Sequence, residues 1–137
     1  MKMSLASVLR RFAERNRKKA MAENYPNLLL VCDQDFEERV LRSTLPVIVD
    51  FTAEWCPPCR ALAPFFARLS DTYKERLRFA KMDTDENTLV PAQLGIQGIP
   101  TLVLFAGGKP VGRVVGPYPG RLQESIERLL VEVKVEA

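Results

Sequence analysis

The chain has 137 residues, of which 47% are hydrophobic and 27% charged, which is enough for one compact domain with a real core. It contains no histidine, which excludes catalysis by a Ser–His or Cys–His pair and removes the commonest zinc ligand. Its three cysteines are odd in number, which argues against a disulfide-stapled secreted domain, and we expect a reducing, cytoplasmic location.

The net charge of +3 is unevenly distributed along the chain. Residues 1–24 hold seven of the 20 basic side chains and two of the 17 acidic ones, which leaves 13 basic and 15 acidic side chains for the rest. No run of about 18 apolar residues is present, as a membrane-spanning helix would need. Charged residues also crowd positions 10–19, where a signal peptide would carry its apolar run. The body is therefore mildly acidic, and the basicity belongs to an N-terminal extension, residues 1–26.

This extension is predicted to begin with a helix over residues 4–21. Leu5, Val8, Leu9 and Phe12 follow the spacing of one apolar helical stripe. There are two interpretations of this stripe. In the first it packs on the body or frays in solution, and in the second it lies on an anionic membrane or binds a partner. We favour the first interpretation because four apolar residues make a weak anchor. Nucleic-acid binding is disfavoured, since Phe12 is the one aromatic residue accompanying the charge.

After a linker at residues 24–27, the sequence predicts alternating strands and helices. In chain order these are a strand at 28–32, a helix at 33–43 capped by Asp33 or Asp35, a strand at 46–53, a helix at 57–74, a strand at 77–83, a helix at 88–94, strands at 101–105 and 111–115, and a helix at 119–133. Alternation favours parallel strands with helices on both faces, and the Gly-rich turn at 106–110 adds an antiparallel edge. The predicted class is α/β.

Two cysteines, Cys56 and Cys59, stand in the segment AEWCPPCR, where a buried strand meets a helix. With Cys56 as N-cap, Pro57 and Pro58 occupy positions where a missing N–H costs no helical hydrogen bond. The amides of Cys59 and Arg60 then point towards the Cys56 sulfur, and together with the positive helix end they favour its thiolate. Cys59, one turn further on, could attack a mixed disulfide formed at Cys56.

Two other uses of the cysteine pair are less well supported. A zinc site needs four ligands, and the sequence has a single CxxC pair and no histidine. A structural disulfide closing so short a loop would constrain little of the unfolded chain. The pattern therefore predicts a redox couple and no metal site.

Asp50 interrupts a strand that otherwise reads as buried on both faces. Burial raises the pKa of a carboxyl unless a cation pairs with it, and Lys81 in the next strand is the natural candidate. The two could move the proton that Cys59 loses or gains. Alternatively they form a satisfied buried pair, or Asp50 caps a turn. The position six residues before Cys56 favours the first interpretation.

Three further residues have alternative interpretations. Pro100 precedes a strand either as an ordinary edge residue or in a cis peptide bond. Trp55 is either part of the core or an apolar docking face beside the reactive sulfur. Cys32 is most simply a small buried hydrophobe, and a regulatory thiol is the less favoured interpretation.

From Asn27 onwards, the sequence resembles the thioredoxin family. The segments that carry the resemblance are VDFTAEWCPPCR, Pro64 within the following helix, FAKMDTDEN, GIQGIPT, the GGK turn and Gly116. The resemblance implies the thioredoxin fold, a central mixed five-stranded sheet flanked by helices, for residues 27–137. The N-terminal helix is additional to it.

The resemblance also implies roles for individual residues. Cys56 is the exposed nucleophile, Cys59 the resolving thiol, and Asp50 the buried acid/base with Lys81 beside it. Pro100 is cis, and the backbone of Ile99 pairs with an extended substrate segment. The other residues of the implied docking surface are Trp55, Pro57, Pro58, Val115 and Gly116.

The function implied is the reduction of protein disulfides by a cytoplasmic monomer that binds no cofactor. Electrons come from a flavoprotein thioredoxin reductase that uses NADPH. The family usually has Gly-Pro between its cysteines, and Pro57 departs from this pattern in a way that could change the redox poise. The alternatives are a thiol oxidase or isomerase, and a non-catalytic binding module. The missing histidine argues against the isomerase, and the reducing-compartment composition argues against the oxidase.

Overall fold

A computed structural model describes residues 4–136, without the side chains at positions 14, 17–23 and 134–136. Residues 1–3 of the predicted extension and residue 137 of the predicted body lie outside the described residues. The strands are β1 Leu28–Leu30, β2 Val47–Thr52, β3 Arg78–Asp83, β4 Thr101–Ala106 and β5 Lys109–Val115. The α-helices are α1 Leu5–Asn24, α2 Pro57–Thr72, α3 Leu89–Gln93 and α4 Leu122–Glu136.

The five strands form one mixed sheet in the order β1-β3-β2-β4-β5. β1, β3 and β2 are parallel, β4 is antiparallel to β2, and β5 is antiparallel to β4. The predicted mixed five-stranded sheet is confirmed. The alternation rule alone did not predict that β4 would join β2 in the antiparallel sense.

Both faces of the sheet are covered, which explains why β2 is buried along its whole length. On one face Ile48 packs with residues of α2 and α4, including Phe66 and Ile126. On the other face Val49 packs in a cluster that includes Phe36. The predicted inner face of α4 is confirmed, because Leu122, Ile126, Leu129 and Leu130 all belong to the first cluster.

The predicted helix at 33–43 is wrong in extent and in its cap. Only Glu37–Leu41 is helical, as a five-residue π-helix whose N-cap is Phe36. The Asp35 carboxylate instead accepts a hydrogen bond from the Cys32 amide at 2.8 Å. The Asp33 carboxylate accepts hydrogen bonds from the amides of Leu89 and Val90 and so caps α3. Both carboxylates find backbone donors outside their own segment.

Other element boundaries differ from the predictions by a few residues, notably at the end of β1 and at the start of the last helix. β1 ends at Leu30 rather than at residue 32, because the chain turns at Cys32 towards Asp35. The last helix is preceded by a 3₁₀ turn, Pro119–Arg121, so that α4 proper begins at Leu122. Helix α2 continues through Pro64.

The connection between α1 and the sheet is shorter than predicted. Helix α1 continues to Asn24, and Asn27 is already buried in the body. The Asn27 side-chain amide donates hydrogen bonds to the carbonyls of Ser70 at 2.8 Å and Leu77 at 2.9 Å. Asn27 therefore fixes the start of β1 to the end of α2 and the start of β3.

The apolar stripe of α1 does not pack on the body, which contradicts one half of the interpretation favoured from the sequence, that the stripe packs on the body or frays in solution. The exposed fractions are 73% for Leu5, 46% for Val8, 57% for Leu9 and 60% for Phe12. Within residues 4–136, no helix is both long enough and apolar enough to cross a membrane.

We predict that Asn27→Ala lowers the free energy of unfolding by about 2 kcal/mol, because two buried carbonyls lose their donor. Urea denaturation of the oxidised protein measures the change. Asn16→Ala on the exposed surface of α1 is the matched control and should change stability by less than about 0.5 kcal/mol. Equal losses in the two variants would show that the Asn27 amide does not anchor the body.

Candidate active site

Cys56 is the N-cap of α2, with an extended backbone of φ −89° and ψ 111°. Its Sγ accepts a hydrogen bond from the Cys59 amide at 3.3 Å. The Arg60 amide was predicted to point at the same sulfur, but it donates to the Cys56 carbonyl oxygen at 3.1 Å. A disulfide joins Cys56 and Cys59, whose Cα atoms are 5.2 Å apart. The first turn of α2 therefore directs one amide and its positive end at the Cys56 sulfur.

Cys56 is more buried than the predicted exposed nucleophile. It is 3% exposed, and Cys59 is 1% exposed. The two residues form a small apolar cluster with Ala53, and the partly buried Ile99 packs against it. The Ile99 carbonyl oxygen lies 3.9 Å from Cys56 Sγ. Ile99 and the loop before β4 thus lie over the disulfide, which accounts for the low exposure of the two cysteines.

The loop before β4 is held in place beside the disulfide. The Ile99–Pro100 peptide bond is cis, which selects one of the two interpretations of Pro100. The Pro100 carbonyl oxygen accepts a hydrogen bond from the Gly116 amide at 2.8 Å. Gly116 has a φ of +61°, a conformation that favours glycine. The loop before β4 and the end of β5 are therefore joined next to Cys56.

Much of the surface around the disulfide is apolar and open to solvent. Trp55 is 66% exposed and is not part of the core, and Val115 is 64% exposed. Pro57, Pro58 and Gly116 are exposed as well. The structure thus brings every docking residue implied by the resemblance to the same end of the sheet. Pro100 differs from the others in being buried.

Asp50 lies in the middle of β2, in register with Lys81 of β3. It is completely buried on the same face of β2 as Ile48, the face that α2 covers. Neither of its carboxylate oxygens has a hydrogen-bond partner among the described residues. Burial raises the pKa of Asp50 to about 6, and the positive charge of Lys81 limits the rise. Asp50 therefore neither caps a turn nor forms a hydrogen-bonded pair.

A cavity of about 560 Å³ adjoins Cys59, and sequence reasoning missed it. Lys81 and Cys32 contribute to its wall, and Arg15 of α1 reaches it from the extension. Cys32 is half-buried rather than buried, and its thiol donates to Gln34 Oε1 at 3.5 Å. No pattern in the sequence indicates this cavity, because its wall combines residues from α1, α2 and the ends of three strands.

The comparisons with known proteins agree with this geometry. A sequence model of the family described as Thioredoxin matches residues 27–128. The chain is 51% identical to "Thioredoxin" of Acidithiobacillus ferridurans over 89 residues, which are 65% of this chain and 82% of that protein. It is 44% identical to "Thioredoxin 1" of Nostoc sp. over 101 residues, 73% of this chain and 94% of that protein. It is 40% identical to "Thioredoxin M-type, chloroplastic" of Chlamydomonas reinhardtii, over 73% of this chain and 72% of that protein.

We predict that Asp50 makes stability depend on pH. The pKa of its carboxyl is about 6 in the folded chain against an ordinary value of 3.8, so the folded state binds the proton more tightly than the unfolded state. Stability is therefore lost as pH rises from about 4 through 6, by about 3 kcal/mol in total. Asp50→Asn should match the original chain near pH 4 and exceed its unfolding free energy by about that amount at pH 8, as measured by urea denaturation of the oxidised protein.

A second variant separates the two causes of this pKa. Removing the charge with Lys81→Met should raise the pKa of Asp50 above 6 and extend the pH-dependent loss to higher pH. Parallel stability curves for the original chain and Asp50→Asn would contradict the prediction.

Proposed function

We propose a mechanism for this chain, which belongs to the thioredoxin family. The chain is a thiol–disulfide oxidoreductase that exchanges a dithiol for a disulfide through Cys56 and Cys59 and so reduces protein disulfides. The observation that carries the mechanism is the hydrogen bond that the Cys59 amide donates to Cys56 Sγ at the N-terminus of α2.

In the proposed reaction the chain starts in the dithiol form. The Cys56 thiolate attacks one sulfur of a substrate disulfide, and the other substrate sulfur leaves as a thiolate and takes up a proton. Cys59 then loses its proton and attacks Cys56 Sγ in the mixed disulfide. This releases the second substrate thiolate and leaves the Cys56–Cys59 disulfide. Two electrons pass from the cysteine pair to the substrate.

We assign Cys56 as nucleophile because the first turn of α2 supports a negative charge on its sulfur. The Cys59 amide donates to Sγ at the positive end of α2, and Pro57 and Pro58 fit the first turn because an N–H there would have no helical partner. Cys59 is proposed as the resolving thiol because it lies one turn into the helix and its amide is the donor to Cys56 Sγ. The exposed fractions of the two residues, 3% and 1%, do not distinguish their roles.

Asp50 is proposed as the acceptor of the Cys59 proton. Because its pKa is about 6, Asp50 is ionised in most molecules at pH 7, and its carboxylate accepts a proton more readily than an ordinary aspartate does. Both oxygens are without a hydrogen-bond partner among the described residues, so one is available to a proton carrier. Lys81 is proposed to tune this pKa by its charge.

Substrate recognition is proposed to use the surface around the disulfide. An extended segment of the substrate would pair with the backbone of Ile99, whose carbonyl oxygen is 3.9 Å from Cys56 Sγ. The apolar rim would contact its side chains. The rim consists of Trp55, Pro57, Pro58, Val115 and Gly116, with Pro100 beneath it.

The proposed setting is a cytoplasmic monomer. Its electrons would come from a flavoprotein thioredoxin reductase that uses NADPH, as expected of a thioredoxin in a reducing compartment. We also propose that residues 27–137 form the thioredoxin domain and residues 1–26 an extension to it. In support, the family match begins at residue 27, where Asn27 becomes buried.

We predict that Cys56→Ser abolishes reduction of insulin disulfides, because no thiolate remains to attack. Cys59→Ser should instead accumulate a mixed disulfide with the substrate, visible on a non-reducing gel. Cys32→Ser is the matched control and should keep the original rate. A Cys56→Ser chain that retains its rate would contradict the assignment, and so would a Cys59→Ser chain that forms no adduct.

The reduction potential tests the direction of the exchange. Equilibration against glutathione buffers should give a value near the roughly −270 mV of thioredoxin. Pro57→Gly restores the usual Gly-Pro pair and should change the potential by less than about 30 mV, a tenfold change in the equilibrium constant. A potential near the roughly −180 mV of protein disulfide isomerase, with slow insulin reduction, would favour the oxidase alternative.

A further inference from the structure

The exposed stripe of α1 is an apolar helix face without a partner in the described part of the chain. At 100° per residue, Leu5, Val8, Leu9 and Phe12 fall within a sector of about 100°. All four side chains are about half exposed or more, although α1 reaches the body elsewhere through Arg15. Since apolar area in water is unfavourable, a helix of this kind gains free energy when a surface covers the stripe.

The charges around the stripe indicate the kind of surface that covers it. The described basic residues of α1, Arg10, Arg11 and Arg15, are exposed. Arg15 lies about 70° and Arg11 about 110° from the centre of the stripe on one side, and Arg10 lies on the opposite side of the helix. Residues 1–24 together carry seven basic and two acidic side chains. The covering surface must therefore accept apolar side chains and balance a concentrated positive charge.

Contact between the α1 stripes of two copies does not satisfy both conditions. Two copies of α1 in contact through their stripes would bring two strongly basic segments together, and the like charges would repel. An anionic lipid bilayer satisfies both. Its acyl boundary accepts the four apolar residues, which are a weak anchor by themselves, and the attraction of its headgroups for the basic side chains supplies the rest of the binding.

We propose that α1 binds the surface of an anionic lipid bilayer. The helix lies in the plane of the interface, with Leu5, Val8, Leu9 and Phe12 at the boundary of the acyl chains. The exposed Arg10 and Arg11 extend to the headgroups, as long basic side chains do at an interface. The four apolar residues of the stripe lie outside the Cys56 site, whereas Arg15 reaches the cavity beside Cys59. Substitution of the stripe therefore tests membrane binding apart from the redox chemistry.

Vesicle sedimentation of the full-length chain tests the proposal. The chain should partition at least about tenfold more strongly to vesicles containing 40% phosphatidylglycerol than to pure phosphatidylcholine vesicles. Raising KCl from 0.1 M to 1 M shortens the Debye length from about 10 Å to about 3 Å and should abolish most of the binding.

The apolar part of the interaction is tested by the double variant Leu9→Ser, Phe12→Ser. It should bind anionic vesicles about tenfold more weakly or worse and reduce insulin at the original rate. Val131→Ser, at a 56% exposed position on α4, is the control and should bind as the original chain does. Because insulin reduction is measured separately, failure of the membrane proposal is distinguishable from failure of the proposed function.

Three results would overturn the proposal. One is equal partitioning of the original chain to anionic and neutral vesicles. Another is unchanged vesicle binding by the double variant. The third is a dimer of the original chain, by light scattering, that the double variant converts to a monomer, since the stripe would then be covered by a second copy.

Discussion

The hydrogen bond from the Cys59 amide to Cys56 Sγ lies where the central strand passes into α2, and the site is arranged around it. Strand β2 pairs with β3 on one side and with β4 on the other. Helix α2 is held over one face of that sheet by apolar side chains such as Leu62 and Phe66. The direction of the α2 axis is therefore set by the core, which directs the amide and the positive helix end at the sulfur. The N-cap of α2 can support a thiolate at Cys56 because the packed core fixes the orientation of the helix.

The same core contains a group that works against its stability. Asp50 occupies a position where the other residues of β2 bury apolar or weakly polar side chains, and neither of its oxygens has a described hydrogen-bond partner. Such a carboxylate costs free energy whenever it is ionised, and within the described part of the chain the charge of Lys81 reduces that cost. A chain selected for stability alone would place an apolar residue there. The presence of the acid is best understood from its position below α2, where burial brings the pKa of Asp50 close to neutral pH.

Features encoded by neighbouring residues could be predicted from the sequence, and features that depend on distant partners could not. The Cys56 cap follows from the prolines behind it, and the inner face of α4 follows from its apolar spacing. The sequence predicts Asp33 as a cap of its own segment, but its carboxylate caps α3, more than 50 residues away in the chain. The low exposure of Cys56 depends on Ile99, and the wall of the cavity beside Cys59 combines Arg15 of α1 with residues of α2 and three strands. Sequence patterns give periodicity and caps, whereas each of these contacts exists only once the sheet has brought the segments together.

The connection between α1 and the sheet also limits how far the two can separate. Only three residues lie between Asn24 and Leu28, and a fully extended chain of that length spans about 10 Å. The last of them, Asn27, is held by two buried hydrogen bonds, so the usable reach is shorter still. A surface that binds α1 therefore keeps the Cys56–Cys59 pair close to it, within about one domain diameter of the point where α1 is bound. An attached chain would sample disulfides in a thin layer next to that point rather than in the surrounding volume, and its choice of substrates would depend on proximity as well as on chemistry.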